Sequence, residues 1–266
     1  MDAYVHGYHP DENERLKNQA QTLTGLLHFD TVYPAGHTVL EAGCGVGAQT
    51  VTLAARSPDA RFTSIDIRSE SIDAARQRTR AARLTNVTFQ QADIFSLPFE
   101  AESFDHVFVC FVLEHLGQPM EALARLKRLL KPGGTITIIE GDHGSTYFHP
   151  DSPAARAAIQ CQITLQQQAG GNALIGRQLY PLMNAAGFSQ VRVSPRMVYA
   201  DSSRPDLMDG FTRKTFTAMI EGVRASAVSA GLIEPDEFDK GIMDLYRTTL
   251  DDGVFCYTFF KGVGKR

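Results

Sequence analysis

Val39-Leu40-Glu41-Ala42-Gly43-Cys44-Gly45-Val46-Gly47-Ala48-Gln49-Thr50 reads as a short apolar strand, three alternating glycines and the start of a helix. Glycine lacks a Cβ, so such a turn lets a ligand approach the backbone N–H groups at the helix N-terminus. A second apolar run follows, Phe62-Thr63-Ser64-Ile65-Asp66-Ile67, with a carboxylate at Asp66. An acid about twenty residues beyond the glycine turn stands where it can reach a ribose held over that turn. The two stretches together predict a cofactor cradle. The remainder reads as a scaffold around the cradle with a cover for a substrate.

Outward from this point, strands and helices alternate. The pattern predicts strands over residues 38–41, 61–67, 86–91, 104–111 and 135–140, and helices over 47–56, 69–84 and 120–130. Ser57-Pro58 stops the first helix, and Lys131-Pro132-Gly133-Gly134 stops the third and opens a tight turn. The fourth strand is nearly all apolar, as expected of a strand covered on both faces. Such an alternation needs right-handed crossovers and predicts an α/β, doubly wound, mostly parallel, seven-stranded Rossmann-like sheet. After Gly141 the rhythm breaks. Helices are expected over 152–168 and 176–186, a strand over 188–199 interrupted by Pro195, a helical stretch over 205–250 and a last strand over 253–262. The helical block before the last strand is too long for an ordinary connection. It reads as a cap over the site or as a homodimer surface.

The N-terminal piece opens with Tyr4, His6, Tyr8 and His9. Asp11 and Glu14 fit a capping box, followed by Leu16, Ala20, Leu23 and Leu27 at helical spacing. Arg15 and Gln19 lie one turn apart and can face one ligand. This piece is either a docked arm or a lid. The division expected is therefore 1–30 helical lid, 31–145 cofactor-binding core, 146–200 substrate-side helices and sixth strand, 201–252 helical cap, and 253–266 last strand.

With 266 residues and 43% hydrophobic content, the chain can build one sizeable core with a cap. A net charge of -4 and no basic stripe argue against a nucleic-acid partner. The longest strongly apolar run, residues 107–113, is too short to span a bilayer. Residues 1–10 lack the basic-then-apolar pattern of a secretion signal. Cys44, Cys110, Cys161 and Cys256 form no C-x-x-C pair and read as reduced thiols, so a cytoplasmic location is expected.

Two ligand templates fit the glycine turn. Gly43, Gly45 and Ala48 satisfy the dinucleotide pattern, which would place a pyrophosphate on the helix N-terminus. A methyl donor such as S-adenosylmethionine would place its amino-acid end there instead. Glu41 favours the second, because an anion suits an ammonium and a sulfonium and opposes a pyrophosphate.

Leu40-Glu41-Ala42-Gly43-Cys44-Gly45-Val46-Gly47 resembles the first motif of class I S-adenosylmethionine-dependent methyltransferases. Further signals stand in that family's order: Asp66; Gln91-Ala92-Asp93-Ile94 with Leu97-Pro98-Phe99; Phe104-Asp105-His106-Val107 before Val112-Leu113-Glu114-His115-Leu116; and Leu130-Lys131-Pro132-Gly133-Gly134. The resemblance covers roughly residues 36–142 and is strongest to the small-molecule branch, which includes ubiquinone/menaquinone-type enzymes. The pattern Tyr8…Glu14-Arg15-Leu16…Gln19 also resembles a lid of secondary-metabolite methyltransferases.

The resemblance implies a role for each matching residue. Gly43, Cys44 and Gly45 would hold the methionine end of the cofactor, with Glu41 and Gln49 in the same cradle. Asp66 would accept both ribose hydroxyls and Ile67 would pack on the adenine. Asp93 would accept from the adenine amino group while the Ile94 N–H donates, and the carbonyl near Phe111 would receive the ammonium. Tyr8, Arg15 and Gln19 would close over the cofactor. Transfer from a sulfonium is an in-line displacement that needs a base only if the acceptor must lose a proton. Candidates for that base are His115 and, at the end of the fifth strand, Glu140 and His143 in Glu140-Gly141-Asp142-His143. No metal is expected, although Glu140, Asp142 and His143 have the ligand types for one. Tyr147, Phe148, Tyr199, Phe211, Phe216 and Tyr246 are candidates to line an apolar acceptor pocket. The expected function is methyl transfer to a small, fairly apolar acceptor. The alternatives are an NAD(P)-dependent oxidoreductase and a non-catalytic S-adenosylmethionine-binding partner protein.

Overall fold

Strand β1 (Thr38–Ala42) is central and almost wholly buried. The computed structural model, which describes residues 22–266, pairs β1 in parallel with β2 (Arg61–Asp66) on one side and β4 (Phe104–Cys110) on the other. Outside these lie β3 (Val87–Gln91), parallel to β2, and β5 (Leu130–His149), parallel to β4. Then β7 (Val254–Lys265) runs antiparallel between β5 and β6 (Ser189–Ala200). The sheet order is β3-β2-β1-β4-β5-β7-β6. From β1 the chain winds outward in both directions, so a crevice opens at the carboxyl ends of β1 and β4.

Helices α1 (Ala48–Arg56), α2 (Ser69–Ala81) and α3 (Pro119–Leu129) are the crossovers of the parallel half. Side chains alternate along each strand, so successive apolar residues face opposite layers. Val39, Phe62 and Phe108 join one core cluster, and Leu40, Ile65 and Val107 join the other with Leu123 and Leu126 of α3. This is why the strands read as continuous apolar runs. Helices α4 (Pro153–Gln168) and α5 (Leu179–Ala185) follow β5. The block before β7 comprises α6 (205–221), α7 (Arg224–Ser229) and α8 (Pro235–Arg247). In α6, a π-helix, Met208–Thr217, lies between Pro205–Leu207 and Ala218–Glu221. Its Phe211 and Phe216 enter the same cluster as Val39, together with Phe255 and Tyr257 of β7.

Three boundaries differ from the sequence reading. The fifth strand does not stop at residue 140 but runs on through Asp142 and His143. The reason is tertiary: β7 pairs with β5 as far as His149↔Val254, so the ladder satisfies backbone groups that looked like loop. The register shifts between Asp142 and Tyr147, where the strand bulges. The Lys131–Gly134 turn is likewise absorbed into β5, as a register shift between Leu130 and Thr135. Pro195 sits opposite Phe260 without breaking β6, because β6 is an edge strand.

Residues 22–27 are helical and bury Leu23 and Leu27, the last two of the predicted apolar stripe. Asp11, Glu14, Leu16 and Ala20 lie outside the described residues. The chain between this helix and β1 is fastened to the far edge of the sheet. There Asp30 accepts from Lys261 at 2.6 Å and Arg196 at 2.5 Å. Among the described residues, no helix is long and apolar enough to cross a membrane.

Candidate cofactor and active site

The glycine turn leaves β1 at the carboxyl edge of the sheet. Gly43 N and Cys44 N both donate to the Ile65 carbonyl of β2 at 2.9 Å. Gly43 has φ 78°, and a Cβ there would lie 2.4 Å from Val112 Cγ2. Gly45 also has positive φ, 50°, but a Cβ on it would meet nothing within 4 Å. Gly43 is therefore glycine to admit a neighbour, whereas Gly45 faces open space. The N–H groups of Gly43, Cys44 and Gly45 are all given to Ile65 and Asp66, and the turn is open to a ligand on its Gly45 side.

Asp66 ends β2 beside this cradle. Its Oδ2 accepts from Gly45 N at 2.8 Å and its Oδ1 from Arg68 N at 3.0 Å. Burial raises its pKa and the two N–H donors oppose that shift. A carboxylate oxygen has two acceptor directions, so Asp66 retains capacity for hydroxyl donors. The next side chain, Ile67, is 55% exposed, an apolar surface adjoining the carboxylate. Asp93, after β3, accepts from Phe95 N at 2.8 Å through Oδ1, while its carbonyl accepts from Ser96 N. Asp93 thus shapes its own turn, with Ile94 half-buried inside it.

Two residues assigned to the cradle engage protein partners. Glu41 is buried, and its Oε2 accepts from Thr50 at 2.7 Å and Ser64 at 2.6 Å. Burial pushes this carboxyl up to about 7 against those two donors. Glu41 therefore ties β1 to β2 and α1. Gln49 Oε1 lies 2.6 Å from His28 Nε2. His28 is fully buried, and desolvation lowers its pKa to about 4. The segment before β1 is thereby coupled to the first turn of α1. Tyr8, Arg15 and Gln19 lie outside the described residues.

Beyond β4, Phe111 adopts φ 57°, donates its N–H to the Ile139 carbonyl and packs 5.3 Å from the Phe259 ring. Its left-handed backbone turns the chain into the 3₁₀ turn Leu113–His115. His115 Nε2 lies 3.5 Å from Glu114 Oε1, with about a fifth of the His115 side chain exposed. Glu140 is fully buried and accepts from Val112 N at 3.1 Å and Leu113 N at 2.8 Å. Its burial, then the neighbouring Glu114 carboxylate, hold its pKa well above the carboxylate range. His143 is buried, with Nδ1 3.0 Å from the Tyr257 hydroxyl. Asp142 pairs with Arg177 through two 2.7 Å contacts.

Glu140, Asp142 and His143 thus point to three different sets of partners. Among the described residues, no three metal-ligating side chains converge. The six aromatics weighed for an acceptor pocket do not converge either. Phe148, Phe211 and Phe216 are core, and Tyr246 donates to Glu221. Tyr147 and Tyr199 are exposed, each paired across Cys256. Sequence reading missed Thr50, Ser64, Gln166, Arg177 and Tyr257. None carries a local signal, because each meets its partner through the tertiary fold.

A parallel sheet reversing at β1, with a glycine turn and a β2 carboxylate at that point, defines a Rossmann-like, nucleoside-cofactor fold. Residues 34–187 match the family described as a methyltransferase domain, and the chain belongs to that class I, S-adenosylmethionine-dependent family. A 37.1 kDa transposon TN4556 protein of Streptomyces fradiae is 36% identical over 221 residues, covering 80% of this chain and 63% of its own length. The 27-O-demethylrifamycin SV methyltransferase of Amycolatopsis mediterranei is 31% identical over 134 residues, covering 50% of this chain and 49% of that one. In structure, a phosphoethanolamine N-methyltransferase of Haemonchus contortus, crystallised with S-adenosylhomocysteine, superposes with TM-score 0.61. That match covers 97% of this chain and 58% of the other at 17% identity, and shows the shared fold. The chain spans about half to two-thirds of the length of the curated relatives it matches.

Proposed function

We propose that this protein transfers a methyl group from S-adenosylmethionine to a small, fairly apolar acceptor by in-line displacement. The observation that carries the reading is the open backbone cradle at Gly45, with Asp66 and exposed Ile67 beside it. When bound, S-adenosylmethionine would supply a methyl on a sulfonium, already activated and leaving behind a neutral thioether.

The chain's own residues would bind and align. Gly43, Cys44 and Gly45 hold the amino-acid end, and Asp66 accepts the ribose hydroxyls with the capacity that Gly45 and Arg68 leave it. Ile67 covers one face of the adenine, and Asp93 with Ile94 reads its edge. The Phe111 carbonyl takes the ammonium, and buried Glu41 adds a favourable charge when ionised. Tyr8, Arg15 and Gln19 belong to a lid over the cofactor, at residues 1–30, and residues 201–252 cap the acceptor side. Alignment and exclusion of water account for much of the rate in such a displacement. Where the acceptor must lose a proton, His115 takes it, because it is partly exposed at the carboxyl end of β4. His143 and Glu140 are too buried for that step and act on structure around it. Relatives named as a 27-O-demethylrifamycin SV methyltransferase and a demethylmenaquinone methyltransferase support a small-molecule acceptor.

Calorimetric titration with S-adenosylhomocysteine, with NAD and NADP alongside, tests the proposal. Binding of S-adenosylhomocysteine alone is expected. Binding of a nicotinamide nucleotide instead would overturn the reading and restore the oxidoreductase alternative. Failure of any small-molecule acceptor to be methylated would favour the non-catalytic partner.

A further inference from the structure

The chain between β4 and α3 is held from two sides. On one side, Glu140 of β5 accepts from Val112 N and Leu113 N, the first donors of the turn. On the other, the Glu114 carbonyl accepts from Asn172 N at 2.7 Å and from Gln166 Nε2 at 2.9 Å. Gln166 is buried on α4, and its Oε1 accepts in turn from Gln162 at 3.1 Å. The turn begins at Phe111, a non-glycine residue in the left-handed region. That conformation is strained for a residue with a Cβ and persists only when its surroundings over-determine it.

What the turn carries explains why it is held. Val112 fills the space over Gly43 that a Cβ would claim, so the position of Val112 sets the floor of the glycine cradle. Three residues later comes His115. One short segment therefore serves both halves of the site. The bonds of the Leu113 N–H to Glu140 and of Gln166 to the Glu114 carbonyl are buried, so the side chains that make them carry its geometry.

We propose that Glu140 and Gln166 are positioning residues that clamp the 112–115 turn from opposite sides. The clamp fixes the seat of the methyl donor through Val112 and the placement of His115. This rests on the methyltransferase reading above. Glu140 works by presenting an acceptor oxygen to two N–H groups, a task that a carboxamide performs equally.

The test is amide hydrogen exchange on the full chain, with S-adenosylhomocysteine titrated into each variant. Glu140→Ala is expected to speed exchange at Val112 and Leu113 about tenfold or more, and to weaken S-adenosylhomocysteine about fivefold or more. Glu140→Gln restores both to within about twofold, because its oxygen still accepts. Gln166→Ala speeds exchange at Asn172, whose N–H shares the Glu114 carbonyl. Unchanged exchange at Val112 and Leu113 in Glu140→Ala overturns the clamp. So does a Glu140→Gln variant as impaired as Glu140→Ala, which would make the ionised charge the active feature. Should Glu140→Ala not fold, Gln166→Ala decides: unchanged exchange at Asn172 together with unchanged S-adenosylhomocysteine affinity overturns the clamp. Wild-type protein that binds no S-adenosylhomocysteine sinks the methyltransferase reading, whereas the exchange data judge the clamp separately.

Discussion

Replacing Glu41 with glutamine should make the protein more stable at alkaline pH and a poorer host for a cation. In the folded protein burial raises the Glu41 carboxyl to about 7, from an ordinary 4.5. A raised carboxyl favours the protonated folded state. Its contribution is fully present below pH 4.5 and is lost as pH rises through 7. The shift corresponds to about 3 kcal/mol, fully lost by pH 8. Glu41→Gln keeps an oxygen for the Thr50 and Ser64 hydroxyls but has no proton to lose. The variant should therefore gain on wild type between pH 5 and 8, by about 3 kcal/mol or about 5 °C in Tm for a chain of this size. Urea unfolding across that range measures it directly. The ligand arm runs the other way: ionised Glu41 favours a sulfonium, so the variant should lose affinity for S-adenosylmethionine more than for its neutral thioether product. Parallel pH-stability curves for the two proteins would refute the reasoning, as would a variant less stable than wild type at pH 8.

Asp66→Ala should weaken S-adenosylhomocysteine binding by about 1–3 kcal/mol, since charge-assisted acceptors for ligand and for Gly45 N are both lost; unchanged calorimetric affinity would remove the ribose assignment. His28 gives an acid-side dependence. Its lowered pKa, about 4, means that stability is present above pH 6.5 and is lost as pH falls towards 4, by about 3 kcal/mol. A His28→Leu variant should lack that part of the slope in urea midpoints between pH 7 and 4.5. Deleting residues 1–10 should weaken S-adenosylhomocysteine retention, and a truncated protein with unaltered affinity would make that segment an arm with no lid function.

The glycine turn and the carboxylate at the end of β2 were legible because their determinants are local. Three glycines after an apolar strand, and an acid at the end of the next strand, set backbone conformation and chemistry within one βαβ unit. The parallel half of the sheet followed from the same periodicity. The acceptor half was not legible. Whether Gly141 to His143 belonged to a loop or a strand depended on β7, more than a hundred residues later. Asp93 has a sequence compatible with both a ligand acceptor and a turn former, and the structure shows the turn.

The sequence by itself determined the class of fold, the place of the glycine cradle and the family, since each rests on residues close along the chain. Only the tertiary structure decided which acids face inward. Glu41 meets Ser64 and Thr50, Glu140 meets the 112–113 amides, and His143 meets Tyr257. A side chain's burial, and with it its protonation and its role, is set by neighbours that the sheet order brings together and that linear spacing does not encode.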